Sequence, residues 1–437
     1  MPAFADAPYP RVNYATAQKA GCVAIAATAK ARHLGLRWVD GTLPQEDDGG
    51  DGDGQDFPLA TSLAESLRDG GCAAVVCNTV RRAQAMYRAL EARFAQLPRS
   101  ERPSLHLFHA QFRHAKRQAL EEFVLGAFGL GDDGKRNPNR PHRAVLVATQ
   151  VIEQSLDLDF DLMVSDLAPV DLLLQRAGRA HRHEENEPRP EPLTEPTLWI
   201  CRPGMDEENV PTFDQGDAFI YEPYILLYTW YALGQGQSDA IAIPGDIQKL
   251  IETVYAEKLT TPDDMSATFV ARLQTAWRDM KNPQERAISR AKGVLIPSPW
   301  REDIYTQFNQ QLDEDNPDAH ASLKAKTRDG EPGLPVVLLD ADALPLKRSA
   351  EPDLDEARKL LGDSINLSHA GLLKAIVDQV TIPSGWARTP WLRYYRAIRL
   401  DAEGNAHYHS SDGKRTYTLH LHPTLGVIVR THKGERR

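Results

Sequence analysis

The sequence predicts an α/β fold built on a parallel sheet, because short apolar runs alternate with helical patterns along its first half. The runs at residues 72–77, 144–147 and 162–165 are rich in valine, alanine and leucine and are apolar at nearly every position. Such runs are typical of strands that are covered on both faces. Residues 80–95 and 170–179 follow two of these strands and repeat apolar side chains at helical spacing. Strands that alternate with helices of this length indicate a doubly wound parallel sheet with flanking helices.

The second half of the chain predicts a helical connector and then a small α+β domain. Residues 219–234, 242–258 and 265–280 carry apolar side chains at helical spacing, and a polar connection near 298–318 predicts a boundary. The last domain is expected to contain a strand at 335–339, a helix at 370–379, a segment at 391–400 and a hairpin at Asp412-Gly413. The predicted parts are an N-terminal segment (1–59), an α/β lobe (60–205), a helical connector (206–325) and a C-terminal accessory domain (326–437).

The composition predicts a cytoplasmic protein without a membrane span. No apolar run approaches the roughly 20 residues that a membrane helix needs, and the N-terminus lacks the order of a secretory signal. The four cysteines show no metal or disulfide spacing and are expected to be reduced core residues. Because the net charge is −10, any binding of DNA must depend on local basic patches. The acidic stretches 46–56, 184–195 and 313–315 predict solvated loops.

Polar residues follow the strand at residues 144–147. Thr149 comes where loops at the carboxyl ends of parallel strands usually meet ligands. The loop that follows ends in Ser155-Leu156-Asp157, whose hydroxyl and carboxylate suit a phosphate and a ribose hydroxyl. The next helix then delivers four residues within about two turns of its end: Gln175, Gly178, Arg179 and Arg182. Arginine suits this position because its planar, permanent charge binds phosphate oxygens bidentately and neutralises a transferred phosphoryl group.

Residues 144–183 resemble motifs V and VI of superfamily-two helicases, and SDLAPVDLLLQRAGRAHRH is similar to the CRISPR-associated helicase-nuclease of type I interference systems. The resemblance implies that residues 60–205 are the second RecA-like lobe of a helicase. A plainer alternative is an arginine-rich helix on a solvated face, but the Gln-x-x-Gly-Arg-x-x-Arg spacing beside the Ser-Leu-Asp loop argues against it. The residues implied to be catalytic are Gln175, Arg179 and Arg182, and those implied to bind the nucleotide are Asp157, Gly178, Arg179 and Arg182.

Two upstream segments also resemble this family. Asn78-Thr79 resembles motif IV and would bind a strand phosphate, although both residues could instead cap the following helix, and capping does not exclude phosphate binding. Residues 105–123 predict a strand and a helix, similar to the family's His-x-x-Phe motif with a basic cluster; a solvated helix face is the alternative. His109 is expected to pack rather than to catalyse. The expected DNA-binding residues are Asn78, Thr79, Arg81, Arg113, Lys116, Arg117, Thr149 and Gln150.

The motifs of the first helicase lobe are missing from the sequence. Residues 129–136 match the spacing of a phosphate loop but lack the final Ser or Thr, carry two acids and run into prolines rather than a helix. No Asp-Glu box and no His-Asp metal constellation of a nuclease occurs, so we expect neither a metal site nor nuclease activity. ATP and Mg²⁺ are therefore expected to be shared with a first RecA-like lobe on another chain, and the chain alone is expected to be inactive.

The C-terminal domain interleaves aromatic and basic side chains, a pattern that suits a groove for single-stranded DNA. An amphipathic strand with one packed face is the alternative. The stretch comprises Trp386, Arg388, Trp391, Arg393, Tyr394, Tyr395, Arg396 and Arg399. Residues 219–234 are also aromatic, and we expect Trp230 to pack rather than to stack on DNA.

The resemblance implies the C-terminal module of an ATP-dependent single-stranded DNA translocase in CRISPR interference. Its expected partners are single-stranded DNA, a first RecA-like lobe or nuclease-helicase chain, and a crRNA-guided surveillance complex. Three alternatives stay open: a nonenzymatic DNA-binding or docking adaptor, an inert remnant of a truncated helicase gene, and a different superfamily-two helicase.

Overall fold

The computed structural model describes residues 10–25, 32–43, 57–153, 156–294, 333–342, 351–377 and 379–433. The chain divides into two units, one formed by Met1–Lys258 with Gly333–Arg437 and the other by Leu259–Pro332. The predicted acidic loops at 46–56 and 313–315 and the polar connection at 298–318 lie outside the described residues. None of the described helices is long and apolar enough to cross a membrane.

The described residues form both strands and α-helices along the length of the chain. The strands are β1 (Arg11–Ala15), β2 (Ala20–Ala24), β3 (Arg32–Val39), β4 (Gly71–Val76), β5 (Ser104–Phe108), β6 (Arg143–Ala148), β7 (Leu162–Asp166), β8 (Thr197–Cys201), β9 (Gly204–Met205), β10 (Pro211–Thr212), β11 (Ala240–Ile243), β12 (Leu334–Leu339), β13 (Ser364–Leu367), β14 (Arg396–Arg399), β15 (Asn405–His409), β16 (Arg415–His422) and β17 (Gly426–Lys433). The α-helices are α1 (Pro58–Ser66), α2 (Val80–Ala95), α3 (His114–Phe128), α4 (Val170–Ala177), α5 (Gln215–Ile220), α6 (Pro223–Ala232), α7 (Ile247–Val254), α8 (Ala267–Val294), α9 (Leu354–Gly362), α10 (Ala370–Ile376) and α11 (Ser384–Ala387).

A seven-stranded sheet forms the centre of the first unit, in the order β11-β3-β8-β7-β4-β6-β5. Neighbouring strands run parallel, except that β11 is antiparallel to β3. Every residue of β4 and β7 is buried, as expected of strands covered on both faces. The strands predicted at residues 72–77, 144–147 and 162–165 are β4, β6 and β7, and the predicted α/β class is confirmed.

Two strands of this sheet come from outside residues 60–205. β3 precedes that range, and β11 follows it and covers the edge of β3. The helix predicted at residues 242–258 therefore starts later, as α7, because Ala240–Ile243 pairs as a strand. A short apolar run has no periodicity that separates a strand from a helix. We use the term lobe for the described residues of the first unit between 32 and 258, which carry this sheet, and C-terminal domain for those between 333 and 433.

Helix α2 has the bounds that the sequence predicts. The Thr79 hydroxyl accepts a hydrogen bond from the Arg82 backbone N–H at 3.1 Å and caps the helix, which satisfies one of its unpaired first-turn donors. One face of α2 packs into the core of the lobe through Ala83, Met86, Leu90 and Phe94. This face fixes the helix against the sheet, and its N-terminus therefore lies at the carboxyl end of β4.

The aromatic helix of the connector packs in the interior, as the sequence predicts. Seven consecutive residues of α6 are buried, from Tyr224 to Trp230. The Trp230 ring meets the ring of Trp38 on β3 edge to face, with 4.8 Å between centroids. This geometry is a favourable one for aromatic pairs. In the second unit, α8 extends over 28 residues and buries Phe269, Leu273, Ala276 and Met280.

The C-terminal domain contains two three-stranded sheets, β13-β12-β14 and β15-β16-β17. The hairpin predicted at Asp412-Gly413 joins β15 to β16, and Gly413 has a φ of +67°, where glycine is favoured. The aromatic and basic stretch does not form one surface. Trp386 is buried in the core, whereas Trp391 and Tyr394 are 60% and 66% exposed.

The turn between β16 and β17 docks onto the lobe. Gln84 Nε2 on α2 donates hydrogen bonds to the carbonyl oxygens of Leu425 and Val427, at 2.8 and 3.0 Å. The Val427 backbone N–H donates to the carbonyl oxygen of Gln111 at 2.8 Å. Leu425 itself belongs to the core cluster of the lobe. The lobe and the C-terminal domain thus share buried apolar and polar contacts.

Candidate functional site

Two groups of predicted site residues lie at different places on the lobe. Asn78, Thr149 and Gln150 follow the carboxyl ends of β4 and β6, where the sheet presents its loops. Arg179 and Arg182 follow the C-terminal end of α4, beside the loop that carries Asp157. We call the first group the strand face, because its residues are predicted to bind a DNA strand. We call the second group the nucleotide face, because its residues are predicted to bind the nucleotide.

On the nucleotide face, Asp157 and Arg182 form an ion pair. Arg182 Nε donates to Asp157 Oδ1 at 2.6 Å, and His183 Nε2 lies 3.1 Å from the same oxygen. Burial alone would raise the pKa of Asp157, but the hydrogen bond from Arg182 and the neighbouring His183 hold it below its usual value. The side chains of Asp157 and Arg182 are 59% and 44% exposed. Asp157 and Arg182, the residues predicted to bind the ribose and a phosphate, are therefore adjacent and accessible.

Arg179 is buried under the loop that precedes Asp157. Its Nη2 donates to the carbonyl oxygen of Glu153 at 2.7 Å, and its Nη1 donates to that of Leu156. Its Nε has no hydrogen-bond partner among the described residues, which exclude the two loop residues 154 and 155. Desolvation and the nearby charge of Arg182 lower the pKa of Arg179. Arg179 thus holds this loop through two backbone carbonyl oxygens.

Gln175 and Gly178 complete the predicted set at the end of α4. Both are exposed, with Gln175 in the last turn and Gly178 at the C-cap. The φ of Gly178 is −63°, an ordinary helical value, so its backbone does not require glycine. A Cβ at Gly178 would meet its neighbours only at ordinary contact distances, 3.4 Å from the carbonyl oxygens of Leu174 and Gln175.

Arg176 is the central charged residue of this region, and the motif spacing in the sequence does not single it out. Its side chain is completely buried, and its Nε donates to Glu153 Oε1 at 2.8 Å. Its Nη1 donates to Ser165 Oγ at 2.7 Å, and its Nη2 donates to the Tyr221 hydroxyl at 3.1 Å. A signal was present in the sequence, because Arg176 shares the helical face of the buried residues Val170, Leu173 and Ala177.

On the strand face, Asn78 is 1% exposed and its amide group is engaged within the protein. Its Nδ2 donates to the carbonyl oxygen of Leu167 and to Asp217 Oδ1, both at 2.9 Å. Its backbone N–H donates to Asp166 Oδ2 at 3.0 Å. Arg82, the second arginine of α2, also binds the Asp166 carboxylate, at 2.7 Å. Thr79 caps α2, whereas Asn78 anchors the loop instead of capping the helix.

The other predicted strand contacts differ in accessibility. Thr149 is buried, and its backbone N–H donates to the carbonyl oxygen of Phe108 at 3.3 Å. Gln150 Nε2 donates to the carbonyl oxygen of Asn78 at 2.7 Å and to the Tyr221 hydroxyl at 3.1 Å. Arg81 is exposed. The structure therefore brings Asn78, Thr79 and Gln150 together around one loop.

The basic cluster at the start of α3 lies against the C-terminal domain. Arg113 Nη2 donates to Asp340 Oδ1 at 2.6 Å and to the carbonyl oxygen of Leu338 at 2.9 Å. Lys116 Nζ donates to the carbonyl oxygen of Pro423. Arg117 is half-buried and lies 3.5 Å from His114 Nδ1. Arg113 and Lys116, two of the three residues predicted to bind DNA here, thus connect the lobe to the C-terminal domain. Neither DNA binding nor a solvated helix face, the two interpretations of the cluster, predicts this contact.

His109 packs in the interior, as the sequence predicts. Its ring stacks on Phe112 with 4.4 Å between centroids, and its Nε2 lies 3.1 Å from the carbonyl oxygen of Leu425. Burial lowers the pKa of His109 to about 4, although hydrogen bonding to the backbone opposes the shift. The neutral imidazole therefore bridges the lobe and the docked turn.

Residues 129–136 form turns that lead into β6, and no helix follows them. Within the part of the chain that the structure describes, no group of three or more histidine, cysteine or acidic side chains is placed to hold a metal ion. Cys72, Cys77 and Cys201 are buried free thiols, and burial raises the pKa of Cys72 to about 12.

Comparisons with known families match both domains. Residues 69–185 match the family described as CRISPR-associated nuclease/helicase Cas3, C-terminal, and residues 328–427 match the Cas3 C-terminal domain. The CRISPR-associated endonuclease/helicase Cas3 of Thermus thermophilus is 30% identical over 423 residues, which cover 85% of this chain and 43% of the relative. The Cas3 protein of Streptococcus thermophilus is 35% identical over 198 residues, which cover 45% of this chain and 19% of the relative.

Solved structures agree with these matches. A crystal structure of a CRISPR-associated protein superposes with a TM-score of 0.81 at 38% identity, covering 98% of this chain and 44% of that chain. The ATP complex of Cas3 from T. fusca superposes with a TM-score of 0.74 at 27% identity, covering 96% and 46%. A chain in a pre-nicking CRISPR RNA-guided surveillance complex gives 0.62 at 26%, covering 93% and 45%. The chain spans less than half the length of these relatives.

Proposed function

Because the chain belongs to the Cas3 family of CRISPR-associated nuclease/helicases and matches the C-terminal part of its relatives, we propose that it is one half of an ATP-dependent single-stranded DNA translocase. The observation that carries the proposal is the exposed Asp157–Arg182 pair beside the buried Arg179. In this position the two arginines can approach the γ-phosphate of a nucleotide that a facing lobe holds. ATP hydrolysis then requires a first RecA-like lobe in trans.

The residues of the nucleotide face fit a bound nucleotide. Arg182 and Asp157 are accessible, and the buried Nε of Arg179 lacks a hydrogen-bond partner within the described residues. Arg179 and Arg182 would bind γ-phosphate oxygens, Asp157 would accept from the ribose, and exposed Gly178 leaves room for close approach. ATP bound between the two lobes would favour their closure, and transfer of its γ-phosphoryl group to water would allow them to reopen. Mg²⁺ would be held by acids of the first lobe.

The strand face supports the proposed binding of the DNA strand. Thr149 and Gln150 follow β6, and Asn78, Thr79 and Arg81 follow β4, so backbone and side-chain donors gather at one edge of the sheet. Donors of this kind contact strand phosphates without reading the base sequence. We propose that lobe closure and reopening move the strand along this edge in CRISPR target degradation, recruited by a crRNA-guided surveillance complex.

A docking adaptor is the second candidate function. Two observations favour it: Arg113 and Lys116 donate hydrogen bonds to the C-terminal domain, and the sequence lacks a phosphate loop. An adaptor would keep the strand face and bind single-stranded DNA, and it would not stimulate ATP hydrolysis by any first lobe.

The experiment that separates these functions is DNA-stimulated ATP hydrolysis by the purified chain, alone and mixed with a first-lobe protein. We expect no activity from either protein alone and activity from the mixture that Arg182→Ala removes. Arg358→Ala is the matched control, because Arg358 is an exposed arginine on α9 of the C-terminal domain. Activity of the chain alone would refute the requirement for a first lobe. A silent mixture that still binds DNA would support the adaptor.

A further inference from the structure

A short segment of the connector covers the strand face. Residues 214–221, which we call the cover segment, contain α5 and the residues that flank it. Asp217 Oδ1 accepts a hydrogen bond from Asn78 Nδ2 at 2.9 Å. The Tyr221 hydroxyl accepts a hydrogen bond from Gln150 Nε2 at 3.1 Å. The same eight residues therefore occupy donors on both loops of the strand face.

The cover segment also approaches the start of α2 closely. A Cβ added at Gly216 would lie 3.0 Å from the Cγ2 of Thr79, tighter than ordinary contact. A side chain at this position would require Thr79 or the segment to shift. Asn78, Thr79 and Gln150 are thus in contact with the segment or immediately beneath it, and all three are proposed strand contacts.

We propose that the cover segment is an autoinhibitory contact, in which the Asp217 carboxylate occupies the place of a strand phosphate at the amide of Asn78. This proposal rests on the proposed binding of single-stranded DNA by the strand face. A carboxylate and a phosphate present the same kind of anionic oxygen to an amide N–H. They cannot occupy one donor together, because like charges at such distances repel. DNA must therefore displace Asp217.

Two features of the cover segment favour its displacement from the strand face. Burial raises the pKa of Asp217 to about 6, and the charges of Asp166 and Asp214 add to this effect against the hydrogen bond from Asn78. The ionised carboxylate is therefore held less favourably here than in water. The segment is also poorly anchored by apolar contacts, because Phe219 and Ile220 are 72% and 41% exposed. By contrast, α6 directly after it is buried from Tyr224 to Trp230.

The test is the affinity of the full chain for a fluorescent oligo-dT strand, measured by anisotropy at low salt. Asp217→Asn keeps an acceptor oxygen for Asn78 but removes the charge, and we expect it to bind at least about fivefold more tightly. Asp132→Asn, the same change in an exposed turn, should leave the affinity unchanged. Weaker or unchanged binding by Asp217→Asn would overturn the proposal, because Asp217 would then organise the site or play no part in it.

A second variant tests the same contact by shape. Gly216→Ala adds a methyl group 3.0 Å from Thr79 Cγ2 and 3.1 Å from Asp214 Oδ1, so it should loosen the segment without changing any charge and also strengthen binding. Hydrogen exchange gives an independent signal. The Ala218 and Tyr221 amides donate to Asp214 and Asp217 carbonyl oxygens within the segment, and both should exchange faster once oligo-dT is bound. Unchanged exchange at saturating oligo-dT would contradict displacement.

Arg81→Ala distinguishes failure of this proposal from failure of the proposed function. Binding that depends on Arg81 but not on Asp217 would leave the strand face in place and remove the autoinhibitory contact. No binding by either the parent chain or Asp217→Asn would refute the strand face itself, and the autoinhibitory contact would be refuted with it.

Discussion

At the scale of the residue, three arginines at the end of α4 have three different environments. Arg182 is accessible, Arg179 braces a loop, and Arg176 is completely buried among polar partners. The motif spacing in the sequence identified the first two as a pair. It could not identify the third, because the partners of Arg176 lie on other elements, up to 98 residues away in the case of Asn78. Periodicity shows that a side chain faces inward but not what it meets there.

The buried position of Arg176 predicts a large loss of stability on substitution. In Arg176→Met, Glu153 would keep a buried charge without its partner, and Ser165 would lose a hydrogen bond. Breaking a buried ion pair in this way costs about 3–5 kcal/mol. Chemical denaturation should show this loss, whereas Arg182→Ala should lower the free energy of unfolding by about 1 kcal/mol or less. Equal losses for both variants would contradict the burial argument.

His109 predicts a pH dependence of stability. Its pKa is about 4 in the folded state because of burial, and a histidine in an unfolded chain has a pKa of about 6.5. Between these values the unfolded chain takes up a proton that the folded chain does not, so falling pH removes up to about 3 kcal/mol of stability.

This contribution should disappear in His109→Gln. The difference in unfolding free energy between the parent chain and this variant should change as the pH falls from 7 to 4, in the direction that favours the variant. A difference that is constant with pH would show that His109 does not titrate as described.

At the scale of the element, the central strands of the lobe were predictable and its outer strands were not. β4, β6 and β7 are continuous apolar runs buried on both faces, so their signal lies within each segment. β3 pairs with β11 across about 200 residues of sequence, and it pairs with β8 on its other side. Their short segments alone do not reveal that pairing. The same reason explains why the contact between Asn78 and Asp217 was not predicted.

The turn between β16 and β17 predicts a position-specific effect of alanine. Gly426 has a φ of +74°, and a Cβ there would clash with the carbonyl oxygen of Gln111. Gly413 has a similar φ of +67°, but a Cβ there would meet nothing within 4 Å. Both Gly→Ala variants should lose about 1–2 kcal/mol to backbone strain.

Only Gly426→Ala should also loosen the docked turn. Its additional loss should appear as a lower melting temperature than that of Gly413→Ala and as faster proteolysis of the C-terminal domain. The comparison between the two variants isolates docking, because the backbone strain is matched. Indistinguishable variants would mean that the turn can shift without cost.

At the scale of the whole molecule, the distribution of charge limits how the chain can bind DNA. The net charge of −10 disfavours nonspecific attraction, and Arg113 and Lys116 are engaged between domains. Of the other cations predicted to hold the strand, Arg81 is exposed and Arg117 is half-buried beside His114. Affinity should therefore depend mainly on neutral donors and a small number of charges.

This distribution predicts a shallow salt dependence of binding to single-stranded DNA. Each phosphate contact contributes about −0.7 to the slope of log K against log salt concentration, so two or three contacts give a slope of about −2. Anisotropy titrations between about 50 and 300 mM salt would measure it. A slope near −5 would instead show that further basic residues join the strand, and the exposed Trp391 and Tyr394 region would be the first place to seek them.

The docked turn also determines when the lobe can finish folding. Gln84 and its carbonyl partner at Leu425 are separated by 341 residues. During synthesis the N-terminal parts of a chain emerge first, at about 5–20 residues per second. Residues of the β16–β17 turn are therefore synthesised roughly half a minute after Gln84. Until then Gln84 and His109 lack their partner at Leu425 and remain exposed to water. For that interval the nascent lobe presents an unfinished apolar surface, and a chaperone that binds such surfaces would have its longest opportunity there.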